Sequence, residues 1–349
     1  MRRSLAVVLA ISMFWFLSLY SCAIKGMIGY GLGQTDIYIF KNTEAWDLAV
    51  AVKNQDVRKI EKITETHPDW LNVQDPLYDV TLLMWAVGTE RYKSAEALLK
   101  CGADPNIVAD CTERFEYEKA ILQSGELING KRWRITGGLS LGETALYIAS
   151  GYSWIDTQAK KDPKYVNLLL EYGADPNICY IGVDSFTMPG GTGYGYGGER
   201  GTSPLMESIG CGIEKTKALV EGGADINHKS ETGRTAAIKA LSTGSGAVVI
   251  ELRRYAHYLI VEEKAIVTDP YYRSIILPGD NPDDEFCPVD ILRGWVFELN
   301  TEDYRLKMEI VEEFARQGID YWATEIPQNT LQTIKHMYPD TWEEYIQRY

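Results

Sequence analysis

A nine-residue segment occurs three times in the chain with nearly the same residues. The copies span residues 98–106, 169–177 and, less perfectly, 219–227. Each copy ends on Gly-Ala-Asp-x-Asn, and each starts with two apolar residues. Internal repetition of this kind predicts a stack of structural repeats rather than a globule around one closed core. A stack offers an extended binding surface, so the repetition favours a binding function over catalysis in a pocket.

The repeated segment has the features of a helix end followed by a tight turn. The paired apolar residues form the buried face of the last helical turn, and Gly102, Gly173 and Gly223 suit the left-handed position that follows it. The Asp and Asn side chains then suit a turn because they bond nearby backbone groups. An earlier helix is predicted upstream of each copy, where a helix-capping hydroxyl precedes an apolar run at Thr81, Thr144, Ser203 and again at Thr235.

Together these segments resemble the ankyrin repeat family, whose pattern is Thr-Pro-Leu-His-x-Ala followed later by Leu-Leu-x-x-Gly-Ala-Asp. The resemblance implies an all-α repeat solenoid, an ankyrin-type helix–turn–helix stack with β-hairpin finger insertions. The family histidine is missing, and its positions hold Met84, Tyr147, Met206 and Ile238. We therefore expect more apolar stacking between neighbouring units in place of hydrogen bonds from that histidine.

About six units are expected between residues 43 and 324, followed by a C-terminal capping helix over 325–349. The first unit begins near Glu44 and lacks the turn glycine, and terminal repeats are often atypical in this way. The fifth runs from Thr235 to about Val267, and the sixth from Cys287 to Asp320. The capping helix offers apolar residues to cover the end of the stack, namely Leu331, Ile334, Trp342 and Tyr345.

The start of the chain has the layout of a secretory signal. Residues 1–3 are basic in character, residues 4–20 are almost unbroken apolar, and Cys22 follows at once. The ending at residues 19–22 resembles the bacterial lipoprotein box, which implies cleavage after residue 21 and lipidation of Cys22. The alternative is an uncleaved membrane anchor, because the apolar run approaches the length of a spanning helix. Both interpretations tether the globular part outside the cytoplasm. We expect the lipoprotein, in the bacterial cell envelope and periplasmic or surface-facing, with a lipidated, Gly-rich tether at residues 22–42.

The net charge limits the classes of partner that the chain is expected to bind. The chain has 35 basic and 49 acidic residues, a formal net charge of −14. This disfavours nucleic acid as a partner and permits a basic protein.

The cysteines after Cys22 are odd in number and have no Cys-x-x-Cys spacing. They are interpreted mainly as small, partly buried thiols, with Cys101–Cys111 or Cys179–Cys211 pairing left open.

Three insertions lengthen the same turn of the repeat, near residues 107–141, 179–201 and 268–286. Equivalent insertions emerge on one side of a solenoid, often its binding face. The first has an Asn-Gly hairpin signal, and the second is rich in Gly and Tyr. The partner-binding candidates within them are Arg132, Trp133, Arg134, Phe186, Tyr194 and Tyr196. The alternatives are a hairpin whose Trp133 only fills its own small core, and a second loop without any partner.

No catalytic motif accompanies these features. The four histidines are scattered, His228 is expected to be exposed, and no zinc-protease, nucleophile-elbow or phosphate-loop pattern occurs. The acidic run at residues 280–285 is interpreted as a solvated turn, with a calcium site as the weaker alternative. We therefore expect no enzyme, no cofactor and no metal. The predicted function is a lipid-anchored envelope scaffold that binds a partner protein through the inserted loops. The alternative is a binder of a small molecule or glycan in a cleft under those loops.

Overall fold

The computed structural model describes residues 33–349 except 126, 129–130, 133–138, 156–160, 184–185, 188–193, 196–197, 243–247 and 274–279. The side chains of 127–128, 131–132, 186–187, 194–195 and 248–251 also lie outside the description. No helix in the part described is both long and apolar enough to cross a membrane.

Six pairs of helices follow one another through the described residues. Unit 1 consists of α1 (Trp46–Asn54) and α2 (Val57–Thr66), and unit 2 of α3 (Leu82–Gly88) and α4 (Tyr92–Lys100). Helix α5 (Thr112–Ser124) precedes unit 3, which consists of α6 (Ala145–Ser150) and α7 (Lys164–Glu171). The remaining pairs are unit 4, with α8 (Pro204–Ser208) and α9 (Ile213–Glu221); unit 5, with α10 (Ala236–Leu241) and α11 (Val248–His257); and unit 6, with α12 (Pro288–Arg293) and α13 (Glu302–Arg316).

Neighbouring units pack first helix against first helix and second against second. The row α1, α3, α6, α8, α10, α12 forms one layer, and the row α2, α4, α7, α9, α11, α13 forms the other. Their buried side chains belong to one continuous apolar cluster that extends from Ile37 to Tyr321. This is a helical repeat fold, in which each unit buries its flanks against its neighbours.

The helix ends form where the sequence places capping residues. The hydroxyls of Thr81, Thr144, Ser203 and Thr235 each accept a hydrogen bond from the backbone N–H three residues later, at 3.1–3.2 Å. Such caps satisfy one of the free N–H groups at a helix start. At the other end, the three repeated turn glycines have φ between +83° and +97°, the left-handed region that glycine enters without strain.

Asparagine side chains link successive turns along the stack. Asn106 Oδ1 accepts from the backbone N–H of Asp175 at 2.7 Å, and its Nδ2 donates to the carbonyl of Gly173 at 3.0 Å. Asn177 makes the equivalent pair to unit 4, at 2.8 and 3.1 Å. The expectation of more apolar stacking in place of the missing histidine was incomplete, because this asparagine supplies a polar link between units.

Three short antiparallel strand pairs accompany the helices in the described part of the chain. Ala109–Asp110 (β1) pairs with Leu141–Glu143 (β4). Leu127–Ile128 (β2) pairs with Lys131–Arg132 (β3), and Phe186–Thr187 (β5) pairs with Tyr194–Gly195 (β6). Projecting β-hairpin fingers stay a prediction, because the turns between these strands lie outside the described residues. Helix α5 was not predicted from the sequence, although its buried ion pair Arg114–Glu118, at 2.9 Å, has the i,i+4 spacing of a helix.

The end of the chain forms two helices where one was expected. These are α14 (Gln328–Met337) and α15 (Trp342–Ile346). The break falls at Tyr338, whose φ of −131° and ψ of 63° are not helical. The next residue is Pro339, and a residue before proline is disfavoured in the helical region. Ile334 and Tyr345 are buried in a separate small cluster with Tyr349, while Leu331 and Trp342 are half-buried.

Candidate functional site

A cavity of about 410 Å³ lies between units 3, 4 and 5. Its walls come from the first helices and from the turn segments that precede them. Glu143 and Arg234 stand directly before the cap residues of α6 and α10, whereas Tyr147, Glu207 and Lys239 lie on α6, α8 and α10. The repeat register brings these residues together, because Glu207 and Lys239 both occupy the fourth position after their unit's cap residue.

Glu143 lies in this cavity without a cationic partner among the described residues. Burial, with a further contribution from the Glu207 charge, raises the pKa of Glu143 to about 7, although a hydrogen bond from Ser140 opposes the shift. No described Lys or Arg forms an ion pair with it. Near neutral pH this carboxyl is therefore divided between its neutral and charged forms.

Glu207 is held by two neighbours at moderate distance. The Tyr147 hydroxyl donates to its Oε2 at 3.4 Å, and the Lys239 Nζ lies 3.6 Å from the same oxygen. Burial, together with Glu207 and Glu143, holds the pKa of Tyr147 well above its usual value. Tyr147 therefore stays a neutral hydroxyl that donates to the carboxylate.

The other charged residues of the cavity are already engaged. Glu199 accepts hydrogen bonds from the hydroxyls of Ser230 and Thr232. The Arg234 guanidinium lies over the ring of Tyr271, 5.2 Å from its centroid. The Nε of Arg234 is buried without a hydrogen-bond partner among the described residues, so its ring contact is the main interaction of this guanidinium. Among the three carboxyl groups that line the described part of the cavity, Glu143 lacks both a cation and a pair of hydroxyl donors.

One wall of the cavity is aromatic and consists of Tyr147 from α6 and Tyr180 from the second insertion. The rings of Tyr147 and Tyr180 stack with centroids 5.4 Å apart and planes 17° apart. The backbone N–H of Tyr180 donates to the carbonyl of Thr202 at 2.9 Å, and the N–H of Gly201 donates back to the carbonyl of Tyr180 at 2.9 Å. The two ends of the 179–201 insertion are thereby tied together beside the cavity.

A cysteine and a histidine meet nearby, but their geometry does not activate the thiol. His228 Nε2 lies 3.2 Å from Cys179 Sγ and 2.8 Å from the Gly201 carbonyl oxygen. A carbonyl only accepts, so Nε2 carries a hydrogen and cannot take the thiol proton. Burial and the charges of Asp175 and Asp225 raise the pKa of Cys179. His228 is half-buried, so its expected exposure was wrong.

The residues predicted to bind a partner are described only in part. Arg132 pairs with Leu127, Phe186 with Gly195, and Tyr194 with Thr187, through their backbones. The side chains of these residues, and all of Cys22, Trp133, Arg134 and Tyr196, lie outside the described residues. Their predicted roles therefore stay predictions.

The cavity residues were not predicted as a site from the sequence, although two features of the sequence indicated them. Tyr147 replaces the family histidine with another hydrogen-bonding side chain. Glu207 and Lys239 place opposite charges at one register position of adjacent units.

The described residues contain neither a metal-binding cluster nor a disulfide. No group of three or more His, Cys, Asp or Glu residues in that part of the chain is arranged to hold a metal ion. In the acidic 280–285 turn, Asp280 lies 3.3 Å from Arg273, and Asp283 to Glu285 are exposed. Five cysteines are present as free thiols, namely Cys101, Cys111, Cys179, Cys211 and Cys287.

Residues 78–110 and 141–180 match the family model of the ankyrin repeat. The chain therefore contains ankyrin repeats, and the resemblance to the ankyrin repeat family is confirmed over these residues. The matched segments contain units 2 and 3 and include three cavity residues, Glu143, Tyr147 and Tyr180. Ankyrin repeats indicate a protein–protein interaction scaffold. No curated protein matches the chain in sequence.

Proposed function

We propose that this protein is a non-catalytic scaffold of the bacterial envelope that holds a partner protein against the side from which the insertions emerge. The observation that carries the proposal is the cavity between units 3, 4 and 5, which lies at the base of the 179–201 insertion. Tyr147, Tyr180 and Arg234 line it, and tyrosine and arginine are among the residue types enriched at the energetic centres of protein interfaces. No cofactor is needed for this role.

The backbone around the second insertion supports this placement. The backbone N–H of Gly182 donates to the carbonyl of Leu141 at 2.9 Å, and that of Glu231 donates to the carbonyl of Arg200 at 3.0 Å. The two ends of the insertion are thus bonded to the turn segments of units 3 and 5. The described ends of the insertion are therefore held beside the cavity, and a segment that is already held loses less conformational freedom when it binds a partner.

Photocrosslinking in living cells tests the scaffold role. A photoreactive residue at Tyr194, in the second insertion, should capture a defined protein. The same group at Glu214, an exposed position of α9, is the matched control on the second-helix layer. Equal crosslinking from both positions, or none from Tyr194, would contradict the proposed binding side.

Membrane anchoring through Cys22 is a separate part of the proposal, supported by the lipoprotein-box pattern alone. Metabolic labelling with an alkyne fatty acid should label the wild-type protein and not Cys22→Ala. The Cys287→Ala variant is the control, since Cys287 is an exposed thiol far from Cys22 in sequence. Label that persists in Cys22→Ala would remove the anchor from the proposal.

A small molecule or glycan is the second candidate ligand. The stacked rings of Tyr147 and Tyr180, in a cavity of about 410 Å³, favour it because sugar and planar ligands pack on aromatic faces. Screening the purified protein against glycan and metabolite arrays distinguishes this candidate from a protein partner. Binding that Tyr180→Ala abolishes would support the cavity as a small-ligand site.

A further inference from the structure

We propose that the cavity receives one basic side chain of the partner, lysine or arginine, with its positive end against Glu143 and Glu207. This inference rests on the proposed scaffold function and names what the partner must present. The charges in the cavity and its aromatic wall support a basic side chain as the occupant, and the net charge of −14 favours a basic partner.

The charges of the cavity leave one place for a cation. In the part of the chain that the structure describes, three carboxyl groups and two basic groups line it. Lys239 lies beside Glu207, the Arg234 guanidinium covers the ring of Tyr271, and hydroxyl groups satisfy Glu199. Glu143 remains without a cation among the described residues, so when it is ionised one additional positive charge balances the three carboxylates against Lys239 and Arg234.

The walls suit the aliphatic part of such a side chain. Tyr147 and Tyr180 present a stacked aromatic surface, and Met206 adds an apolar side chain. Lysine and arginine bury their methylene stems along apolar surfaces while the charged end reaches polar groups. A cation near a tyrosine ring gains further from the electrons of the ring.

Proton linkage distinguishes a cation from a neutral ligand at this site. The pKa of Glu143 is about 7, raised by burial and by Glu207. The other titratable or charged groups that line the described cavity are Tyr147, Tyr180, Glu199, Glu207, Arg234 and Lys239. Of the two cations, Lys239 lies beside Glu207 and Arg234 lies over the ring of Tyr271, so neither pairs with Glu143. A bound cation favours the charged form of Glu143, so its affinity should rise as pH increases through 7, with proton release on binding.

The test uses the full-length protein in neutral detergent micelles and ligand-observed NMR titration. The probes are the capped tripeptides Gly-Lys-Gly and Gly-Arg-Gly and their matched neutral analogue Gly-norleucine-Gly. At pH 8 at least one basic tripeptide should bind about tenfold tighter than the norleucine tripeptide. Equal affinity for the basic and neutral tripeptides would overturn the inference.

Variants separate a role in cation binding from damage to the fold. Glu143→Gln and Glu207→Gln should each weaken the basic tripeptide about fivefold or more, while Glu65→Gln, an exposed acid of α2, should not. Lys239→Met removes the competing cation and should strengthen binding, a gain that a damaged fold cannot produce. Unchanged affinity in both Glu143→Gln and Lys239→Met would overturn the inference.

Cadaverine distinguishes a partner's side chain from a free amine. Binding of the basic tripeptides at least as tight as that of cadaverine supports a side chain as the occupant. Much tighter binding of cadaverine would overturn the assignment to a protein partner. Failure of the crosslinking experiment at Tyr194 would remove the scaffold role, yet the tripeptide titration would still show whether the cavity selects a cation.

Discussion

A hydrogen bond joins Asn106 to Asp175, two residues that lie 69 positions apart in sequence and belong to neighbouring units. The Asn106 side-chain oxygen accepts it from the backbone N–H of Asp175 at 2.7 Å. The same side chain donates to the carbonyl of Gly173. One asparagine side chain therefore provides hydrogen-bond partners for two backbone groups of the next turn. The first insertion lies between these residues in sequence, yet it does not interrupt the contact between units 2 and 3.

Replacing Asn106 with Ala should destabilise the stack. The change leaves two backbone groups of unit 3 without their protein partner, and we expect a loss of about 1–2 kcal/mol in the free energy of unfolding. Urea unfolding followed by circular dichroism measures it. Asn54→Ala is the control, because Asn54 is exposed at the end of α1, and its effect should stay within about 0.5 kcal/mol. Equal losses in the two variants would mean that the link contributes nothing.

Stability should depend on pH through Glu143. Its folded pKa, about 7, lies above the ordinary value of 4.5, so the native state binds the proton more tightly than the unfolded chain. This contribution is fully present below pH 4.5 and is lost as pH rises through 7. Glu143→Gln does not titrate, so it should be more stable than wild type at about pH 8, by roughly 1–3 kcal/mol, and similar near pH 4.5.

Urea unfolding at several pH values checks the Glu143 prediction. Asp75, with a pKa raised by burial to about 6, titrates in both proteins and cancels in the comparison. Glu65→Gln, which alters an exposed acid, should follow the wild-type curve. A stability difference between Glu143→Gln and wild type that stays constant from acidic to mildly alkaline pH would contradict the assignment.

Gly142→Ala should be more harmful than the same change at a repeated turn glycine. Gly142 has φ of +102°, and an added Cβ would lie 2.4 Å from the backbone nitrogen of Ile181. Gly173 also has a positive φ, +83°, but nothing lies within 4 Å of its added Cβ. Strain alone costs about 1–2 kcal/mol, and the collision at Gly142 should add about 1–3 kcal/mol. Thermal unfolding of the two variants compares them directly, and a smaller loss for Gly142→Ala would be the contrary result.

The five described cysteines should react with iodoacetamide in an order set by exposure. Burial raises the pKa of Cys111 to about 12 and that of Cys211 to about 11. Burial, Asp290 and Glu285 also raise the pKa of Cys287, but its side chain is exposed and open to the reagent. The thiolate is the reactive form, so Cys287 should be modified first at about pH 7.5, with Cys111 and Cys211 protected in the native protein. Peptide mass mapping over time gives the order, and denatured protein serves as the control. Rapid native modification of Cys111 would contradict the described packing.

The features predicted correctly from the sequence are those that depend on residues close together in the chain. A threonine or serine cap acts on the third following N–H, and a turn glycine acts on its own φ, so both were visible in one repeat. Two elements outside the repeat pattern also had local signals in the sequence. The Arg114–Glu118 spacing indicates helix α5, and Pro339 indicates the break at Tyr338. These elements were in principle predictable.

By itself, the sequence determined the helical units, their caps and turns and their family, because each of these rests on contacts within about 35 residues. Only the tertiary structure decided that Glu143, Glu207 and Lys239 line one cavity, since these residues belong to three different units. The physical reason is that packing and the asparagine links set how each unit lies against the next. Because the insertions between units differ in length, the spacing along the sequence does not show which residues will meet. The pKa of Glu143 depends on the same assembly, because only stacked units bury that carboxyl beside Glu207.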